Sequence, residues 1–381
     1  MYKIIIYYPK ELAHFSYVMS GLIDLEKAGL LKYEFAIRSK TKDLGRIDCK
    51  EKHYKHDLAP QPKTSFYELI DEKNKIRVKF AIDLNDIGYF FSYRALESNE
   101  YVFKRNYVKK YINNLPLKYR KKVKSFGIPF FIYPGYFKGE FNFLIGYVFT
   151  KLINNIKVDR SFFVRIYNSL KIASKDVKNY KNQPTIDSFK NDIKKNNKKV
   201  FYQKRLFNEV NYNKDVKEIN EQRYLFVKRL KETLSDEEFL GGLVPNKIAL
   251  ERYPNFITKL PTSRKLFFNS IKGARVVIYT RGLEKSPGWT LPEYLSLGKA
   301  ILAEKHETIF PEPLINGKHL IYFDNIDDCI IKLKSLLTDD EKIKSLSQNA
   351  IRYFKKYVVP KNKIGQTIKF MLERHGINLN N

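Results

Sequence analysis

Residues 281–304 read Arg281-Gly-Leu-Glu-Lys-Ser-Pro-Gly-Trp-Thr-Leu-Pro-Glu-Tyr-Leu-Ser-Leu-Gly-Lys-Ala-Ile-Leu-Ala-Glu304. The β-branched apolar run just before them, Val276-Val-Ile-Tyr279, predicts a buried strand, and the Gly/Pro-punctuated residues that follow predict a loop and then a short amphipathic helix. Thr290 stands at N-cap, Pro292 in the first turn and Glu293 at N3, so Thr290-x-x-Glu293 has the capping-box form. Gly298 stops the helix, and Lys299-Ala-Ile-Leu-Ala303 resumes as a strand. Strand, loop, capped helix and strand make a βαβ unit whose helix N-terminus faces a ligand crevice. Such an N-terminus gathers unpaired N–H groups and partial positive charge, which suits a phosphate or diphosphate. Gly288 lets that ligand come close to the backbone.

Working outward, strands and helices alternate throughout the second half. Strands are expected from Lys199 up to Lys204-Arg205, at Glu238–Val244 (with a glycine pair) and at Leu320–Phe323. Helices are expected at Glu218–Leu234, Thr262–Ile271, Ile326–Leu337, Asp340–Lys356 and Lys361–His375. In the first half, strands are expected at Tyr2–Tyr8, Leu31–Ile37, Arg77–Asp83, Tyr101–Phe103 and Ile128–Tyr133, with a helix over Tyr17–Ala28. The Lys/Asn-rich residues 179–198 read as a connection outside any core.

Gly288-Trp-Thr-Leu-Pro-Glu-Tyr-Leu-Ser-Leu-Gly-Lys-Ala-Ile301 resembles the nucleotide-sugar segment of GT-B fold glycosyltransferases, in which a Gly-rich turn holds the donor diphosphate and a helix-start Glu binds the ribose. The resemblance places Glu293 at that Glu, and it likens Lys204-Arg205 to the basic residues that meet the donor phosphates after the first donor-domain strand. Retaining members carry a second Glu eight residues earlier, where this chain has Lys285, with Glu284 one step off. The stereochemical outcome stays open.

The resemblance implies an α/β, GT-B fold with two Rossmann-like domains facing each other across a cleft. Residues 1–190 form the acceptor domain with a basic face and the linker, 191–360 the donor domain, and 361–381 a helix crossing back to the first domain. It implies a transferase that moves a sugar from a UDP- or GDP-sugar to a hydroxyl of a cell-surface glycan or glycolipid. The donor-binding candidates are Lys204, Arg205, Gly242, Arg281, Gly288, Trp289, Thr290 and Glu293. Several have plainer readings: the capping box accounts for Glu293 without a ligand, Gly288 serves the turn, Trp289 is either core or a lid, and Arg205 pairs with a surface acid.

Composition bounds the alternatives. A length of 381 residues suits two domains, and 43% hydrophobic with 15% aromatic residues excludes wholesale disorder. The charge of +30, from 71 Lys and Arg against 41 Asp and Glu, calls for an anionic partner to be weighed. The excess is mostly Lys alongside much Asn, Ile, Tyr and Phe, a usage that an AT-rich genome also produces. No zinc-ligand cluster, basic-region heptad or aromatic RNA-binding signature accompanies it, so nucleic acid is not expected. From Tyr101 to Gly139 ten basic residues occur with no acidic one, either a solvated face or a surface for an anionic leaflet. Cys49 and Cys329, far apart, and an N-terminal apolar run too short for a signal peptide predict a cytoplasmic protein, peripheral on the membrane's inner face if the basic face is used. The longest apolar stretch, Phe143–Phe149, falls short of a span.

For chemistry, helix N-termini and Lys or Arg stabilise a leaving diphosphate without a metal. No Asp-x-Asp follows a strand, and Asp83-x-x-Asp86 has the wrong spacing, so no required metal is expected. An inverting transfer needs a base for the acceptor hydroxyl, and His14 and Asp86, at first-domain strand ends, are the catalytic candidates. Plainer readings make His14 a capping or packing residue and Asp86 a turn former. The competing functions are a basic nucleic-acid or anionic-surface binder on an α/β scaffold, and a degenerate transferase that binds sugar nucleotides without turnover.

Overall fold

The computed structural model describes residues 2–37, 44–52, 54–59, 61–154, 161–189, 199–209 and 214–377. The chain divides into two units, one of Met1–Ile186, Thr308–Pro311 and Val358–Asn381, the other of Asp187–Glu307 and Glu312–Tyr357.

The first unit runs β1 (Tyr2–Tyr7), α1 (Leu12–Lys27), β2 (Leu31–Ala36), β3 (Arg46–Asp48), β4 (Lys55–Asp57), β5 (Thr64–Asp71), β6 (Ile76–Asp83) and β7 (Phe90–Ser92). It continues through α2 (Tyr93–Ser98), β8 (Tyr101–Lys104), α3 (Lys109–Asn113), α4 (Leu117–Arg120), β9 (Val123–Ser125), α5 (Glu140–Asn154) and α6 (Phe162–Lys181). Its main sheet has the order β2-β1-β5-β6-β8-β9, and β3, β4 and β7 form a small antiparallel sheet. Only β5 runs against its neighbours; the other five strands of the main sheet are parallel. With β5 set aside, the order is that of a doubly wound sheet.

Strand β5 went unread because Thr64–Asp71 lacks clean alternation. Its inward Glu68 is held by the Tyr7 hydroxyl at 2.5 Å and Arg77 Nε at 2.7 Å. The strand expected at Ile128–Tyr133 does not form, and Val123–Ser125 is the edge strand instead. Residues 128–133 are largely buried, but Pro129 has no N–H to give a ladder. The Ile132 and Tyr133 amides go to Ser16 Oγ at 3.5 Å and the Pro184 carbonyl at 2.9 Å.

The second unit runs β10 (Val200–Arg205), α7 (Lys214–Thr233), β11 (Phe239–Val244), α8 (Lys247–Arg252), α9 (Arg264–Lys272), β12 (Val276–Tyr279) and α10 (Leu291–Ser296). After these come β13 (Ala300–Glu304), β14 (Ile321–Phe323), α11 (Ile326–Leu337) and α12 (Asp340–Tyr353). All five strands are parallel in the order β11-β10-β12-β13-β14. Such a sheet is covered on both faces, which is why Val276–Tyr279 and Ala300–Ala303 are continuously buried. Helix α7 turns Val216, Ile219, Phe226, Val227 and Leu230 into this core.

The last helix, α13 (Pro360–Arg374), packs on α1 in the first unit. The two backbones come close at Gly21, where a Cβ would stand 2.6 Å from the Pro360 carbonyl oxygen. The Tyr17 hydroxyl donates to the Val358 carbonyl at 2.5 Å.

The connection expected at 179–198 is corrected in part. Tyr180 and Phe189 are core residues, the first at the end of α6 and the second against Phe268 at 4.9 Å. Residues 190–198 lie outside the described residues.

Candidate functional site

In the second unit the chain leaves β10 for β11 on one side and returns to β12 on the other. Ligands of doubly wound sheets settle at such a switch point, outside the carboxyl ends of the strands. Here β10 ends on Lys204-Arg205 and β12 on Tyr279. Alternation along β10 puts Val200, Tyr202 and Lys204 on one face. Lys204 is only 7% exposed, with its ammonium 5.6 Å from the Tyr202 ring centre and 5.8 Å from that of Tyr279. Among the described residues no carboxylate or carbonyl lies within hydrogen-bonding distance of that ammonium. Burial, with the nearby Arg223 guanidinium, pushes its pKa down to about 7, while Glu304 and Glu293 pull the other way from farther off.

Arg223 is also buried, and burial pushes it down to about 10. Its guanidinium donates to the Arg205 carbonyl and lies 4.4 Å from the Phe207 ring centre. The Arg205 side chain itself is exposed. Gly242, inside β11 at φ +130°, leaves room for the Phe256–Thr258 segment, whose Phe256 oxygen and Thr258 Cα would stand 2.9 Å from a Cβ there. Packing therefore accounts for that glycine.

Arg281 is committed to carboxylates. It reaches Asp215 at 2.5 Å, with Glu218 and Glu304 both at 3.7 Å. Its amide donates to Glu304 at 2.8 Å, and the Glu284 amide donates to Asp215 at 2.7 Å. The start of α7 and the end of β13 thus hold the 281–288 loop from both sides. Within the loop Glu284 and Lys285 both take positive φ, 52° and 55°. Two consecutive non-glycine residues there store strain that the carboxylate anchors sustain.

The loop then delivers Gly288, whose amide donates to the Tyr279 hydroxyl at 2.5 Å. A Cβ on Gly288 would stand 3.2 Å from the Tyr279 ring, so this backbone is pressed against the end of β12. Trp289 is half-buried beside it.

Helix α10 departs from expectation in two ways. It is buried on all sides, Leu291 through Ser296, not amphipathic. The capping box does not form either: Thr290 has helical dihedrals and its side chain makes no capping hydrogen bond. Glu293 is fully buried, and its carboxylate acts electrostatically on Lys204.

A second charged edge stands in the first unit, at the carboxyl ends of β1, β6 and β8, where β5 begins. Asp86, after β6, is held by Lys63 Nζ at 2.8 Å and by the Arg105 guanidinium. Burial works to raise the Asp86 pKa, but Arg105 and Lys63 outweigh it and hold it at about 2. His14, in the first turn of α1, has Nδ1 2.7 Å from Glu11 and stands edge-on to Phe131 at 5.1 Å. Burial lowers its pKa, against the pull of Glu11 and Asp86. The fold thus brings His14 and Asp86 to one edge and gives them different characters: a neutral imidazole and a locked carboxylate. Beneath them Lys104 and Asp83 form a fully buried pair at 3.1 Å. Lys104 and Arg105 therefore do not belong to the basic surface expected over 101–139.

Two Rossmann-type sheets in one chain, with the last helix returned to the first unit, have the topology of the GT-B class. Comparison of sequences finds no matching family model and no matching curated protein. Comparison with solved structures returns distant similarities. A glycosyltransferase from Rickettsia africae has TM-score 0.40 and 11% identity over 73% of this chain and 64% of its own. The S. aureus MnaA structure with UDP has TM-score 0.39 and 12% identity over 99% and 98%. Sucrose-phosphate synthase from Thermosynechococcus elongatus has TM-score 0.38 and 8% identity over 94% and 92%.

Sequence reading missed Arg223, Asp215 and Glu304 in the second unit, and Lys63, Arg105 and Glu11 in the first. Arg223 was detectable, since it interrupts the apolar stripe of α7 between Ile219 and Phe226. Asp215, Glu304, Lys63 and Arg105 act through contacts 19 or more residues away and carried no local signal, while Glu11 stands only three residues before His14. Among the described residues no group of three or more His, Cys, Asp or Glu is placed to hold a metal ion.

Proposed function

We propose that the second unit binds the diphosphate of a nucleotide sugar, a UDP- or GDP-sugar, and that the protein transfers the sugar to a hydroxyl of a glycan or glycolipid acceptor. The observation that carries this reading is Lys204: a buried ammonium with no anion in contact, at the switch point of a parallel sheet. Burial without a partner is costly for a cation, and an arriving diphosphate supplies the missing charge. Gly288 brings the backbone close to the end of β12, and the buried Glu293 carboxylate is an acceptor for ribose hydroxyls. Arg205, exposed at the strand end, is the second cation for the outer phosphate. Thr290 shapes the loop, Gly242 acts through packing, and Arg281 fixes the loop without touching the donor.

As the diphosphate departs it gains negative charge, and Lys204 meets that charge without a metal being required. In the first unit His14 is the general base. Its lowered pKa keeps the imidazole unprotonated near pH 7, able to accept the acceptor's proton. Asp86, locked by two cations at about 2, is a poor base and orients the charge around His14 instead.

Thermal-shift titration with UDP, GDP and their sugars tests the donor site. A ligand that binds only the folded state at a hundred times its dissociation constant stabilises it by about 2.7 kcal/mol. A flat response to every nucleotide would sink the proposal.

A further inference from the structure

Helices α5 and α6 pair antiparallel in the first unit: Phe143 meets Tyr180 at 6.5 Å between ring centres, and the Tyr147 hydroxyl donates to Asp176 at 2.6 Å. These contacts, with buried Ser169 and Ala173, use one side of each helix. The opposite side is apolar as well. On α5, Phe141, Ile145 and Phe149 recur at intervals of four, and Phe141 is 74% exposed. On α6, Phe163, Tyr167 and Leu170 follow the same helical stripe, with Phe163 80% and Tyr167 64% exposed. Helices apolar on both sides are suited to a second apolar medium or partner, and a contiguous exposed patch of this kind marks an interaction surface.

The surrounding charge is of one sign. Lys138, Lys171, Lys175, Lys178 and Lys181 are exposed around the stripe. The acidic residues of the two helices are not free: Glu140 is buried and bonded to Tyr133, and Asp176 is taken by Tyr147 and Lys151. Among the described residues the outward faces therefore carry lysine and no exposed carboxylate. With 15 residues, α5 is roughly 22 Å long, and among the described residues no helix is long and apolar enough to cross a membrane.

We infer that α5 and α6 dock this protein on an anionic lipid surface. The helices lie along the interface, the aromatic stripe enters the headgroup boundary, and the lysines meet lipid phosphates. Apart from Lys138, the surface is separate from the basic run at 101–139, whose Lys122 and Lys124 ammonium groups are turned onto backbone carbonyls.

Flotation of the full chain with vesicles tests the inference. Wild type is expected to float with phosphatidylglycerol–phosphatidylcholine vesicles and to favour them about tenfold or more over phosphatidylcholine alone. Phe141→Ser, Phe163→Ser and Tyr167→Ser together should lower the bound fraction about tenfold or more, with circular dichroism and melting unchanged because these side chains support no core. Lys171→Glu with Lys175→Glu should abolish the preference for the anionic lipid. Three results would overturn the idea: wild type left unbound by both vesicles, a triple variant that floats like wild type, or a self-association of wild type that the triple variant abolishes. Nucleotide thermal shifts on the same variants report the donor site separately, since none of these residues belongs to it.

Discussion

Replacing Lys204 with Met should stabilise the protein and abolish nucleotide binding at once. Lys204 falls from its ordinary 10.5 to about 7 in the fold, and at ~1.4 kcal/mol per pKa unit the buried charge costs roughly 4–5 kcal/mol at neutral pH. Relaxation around the charge reduces the recoverable part to about 2–4 kcal/mol, which raises the melting temperature by roughly 4–16 °C for a unit of 150–250 residues. The pH dependence follows from the direction of the shift. Above about 10.5 neither state holds the proton and there is no cost. As pH falls toward 7 the unfolded chain takes up a proton that the folded chain refuses, so the cost grows, and below about 7 it is constant. Calorimetric scans of wild type and Lys204→Met from pH 6 to pH 9 should therefore show a gap that narrows with rising pH. A variant that melts at or below wild type, or a gap that ignores pH, would refute the picture of a desolvated cation awaiting an anion.

The other residues give sharper chemical tests. Glu293→Gln should weaken nucleotide affinity by roughly ten- to a hundredfold, the worth of a charged hydrogen bond, and unchanged affinity in calorimetric titration would remove Glu293 from the ribose. His14→Ala should lower kcat by about 10²–10⁴ with donor affinity intact; a loss confined to donor affinity would argue against a base. Asp86→Asn leaves Lys63 and Arg105 facing a neutral amide and should cost about 3–5 kcal/mol at neutral pH. Because the Asp86 pKa is depressed to about 2, about 2–3 kcal/mol of that stabilisation is present above the ordinary carboxylate range and is lost as pH falls through 2, so urea titrations of wild type and variant should draw closer by that amount.

What could be read from the sequence was whatever is encoded within a few residues. Val276–Tyr279 and the run into Glu304 announced a parallel sheet because both faces of such strands are buried and their composition shows it. The capping box was misread for a related reason: Thr-x-x-Glu is a local pattern, but tertiary packing buries α10 completely and sets Thr290 in a helical conformation that makes no cap. Strand β5 escaped because a strand inserted antiparallel between β1 and β6 is specified by its partners, through Glu68 and its contacts with Tyr7 and Arg77. The same distinction separates the two halves of the site. Lys204 could be suspected because it stands at the end of a strand, but its electrostatic surroundings depend on Arg223 arriving from α7 and on Glu304 and Glu293 from later elements. Of the carboxylates around Arg281, Glu304 is the one whose charge acts on Lys204, and it is held by Gln222 at 3.0 Å as well as by the Arg281 amide at 2.8 Å. In the proposed donor site the charge balance at the strand-end lysine is therefore set by residues far off in sequence, which no local pattern at Lys204 encodes.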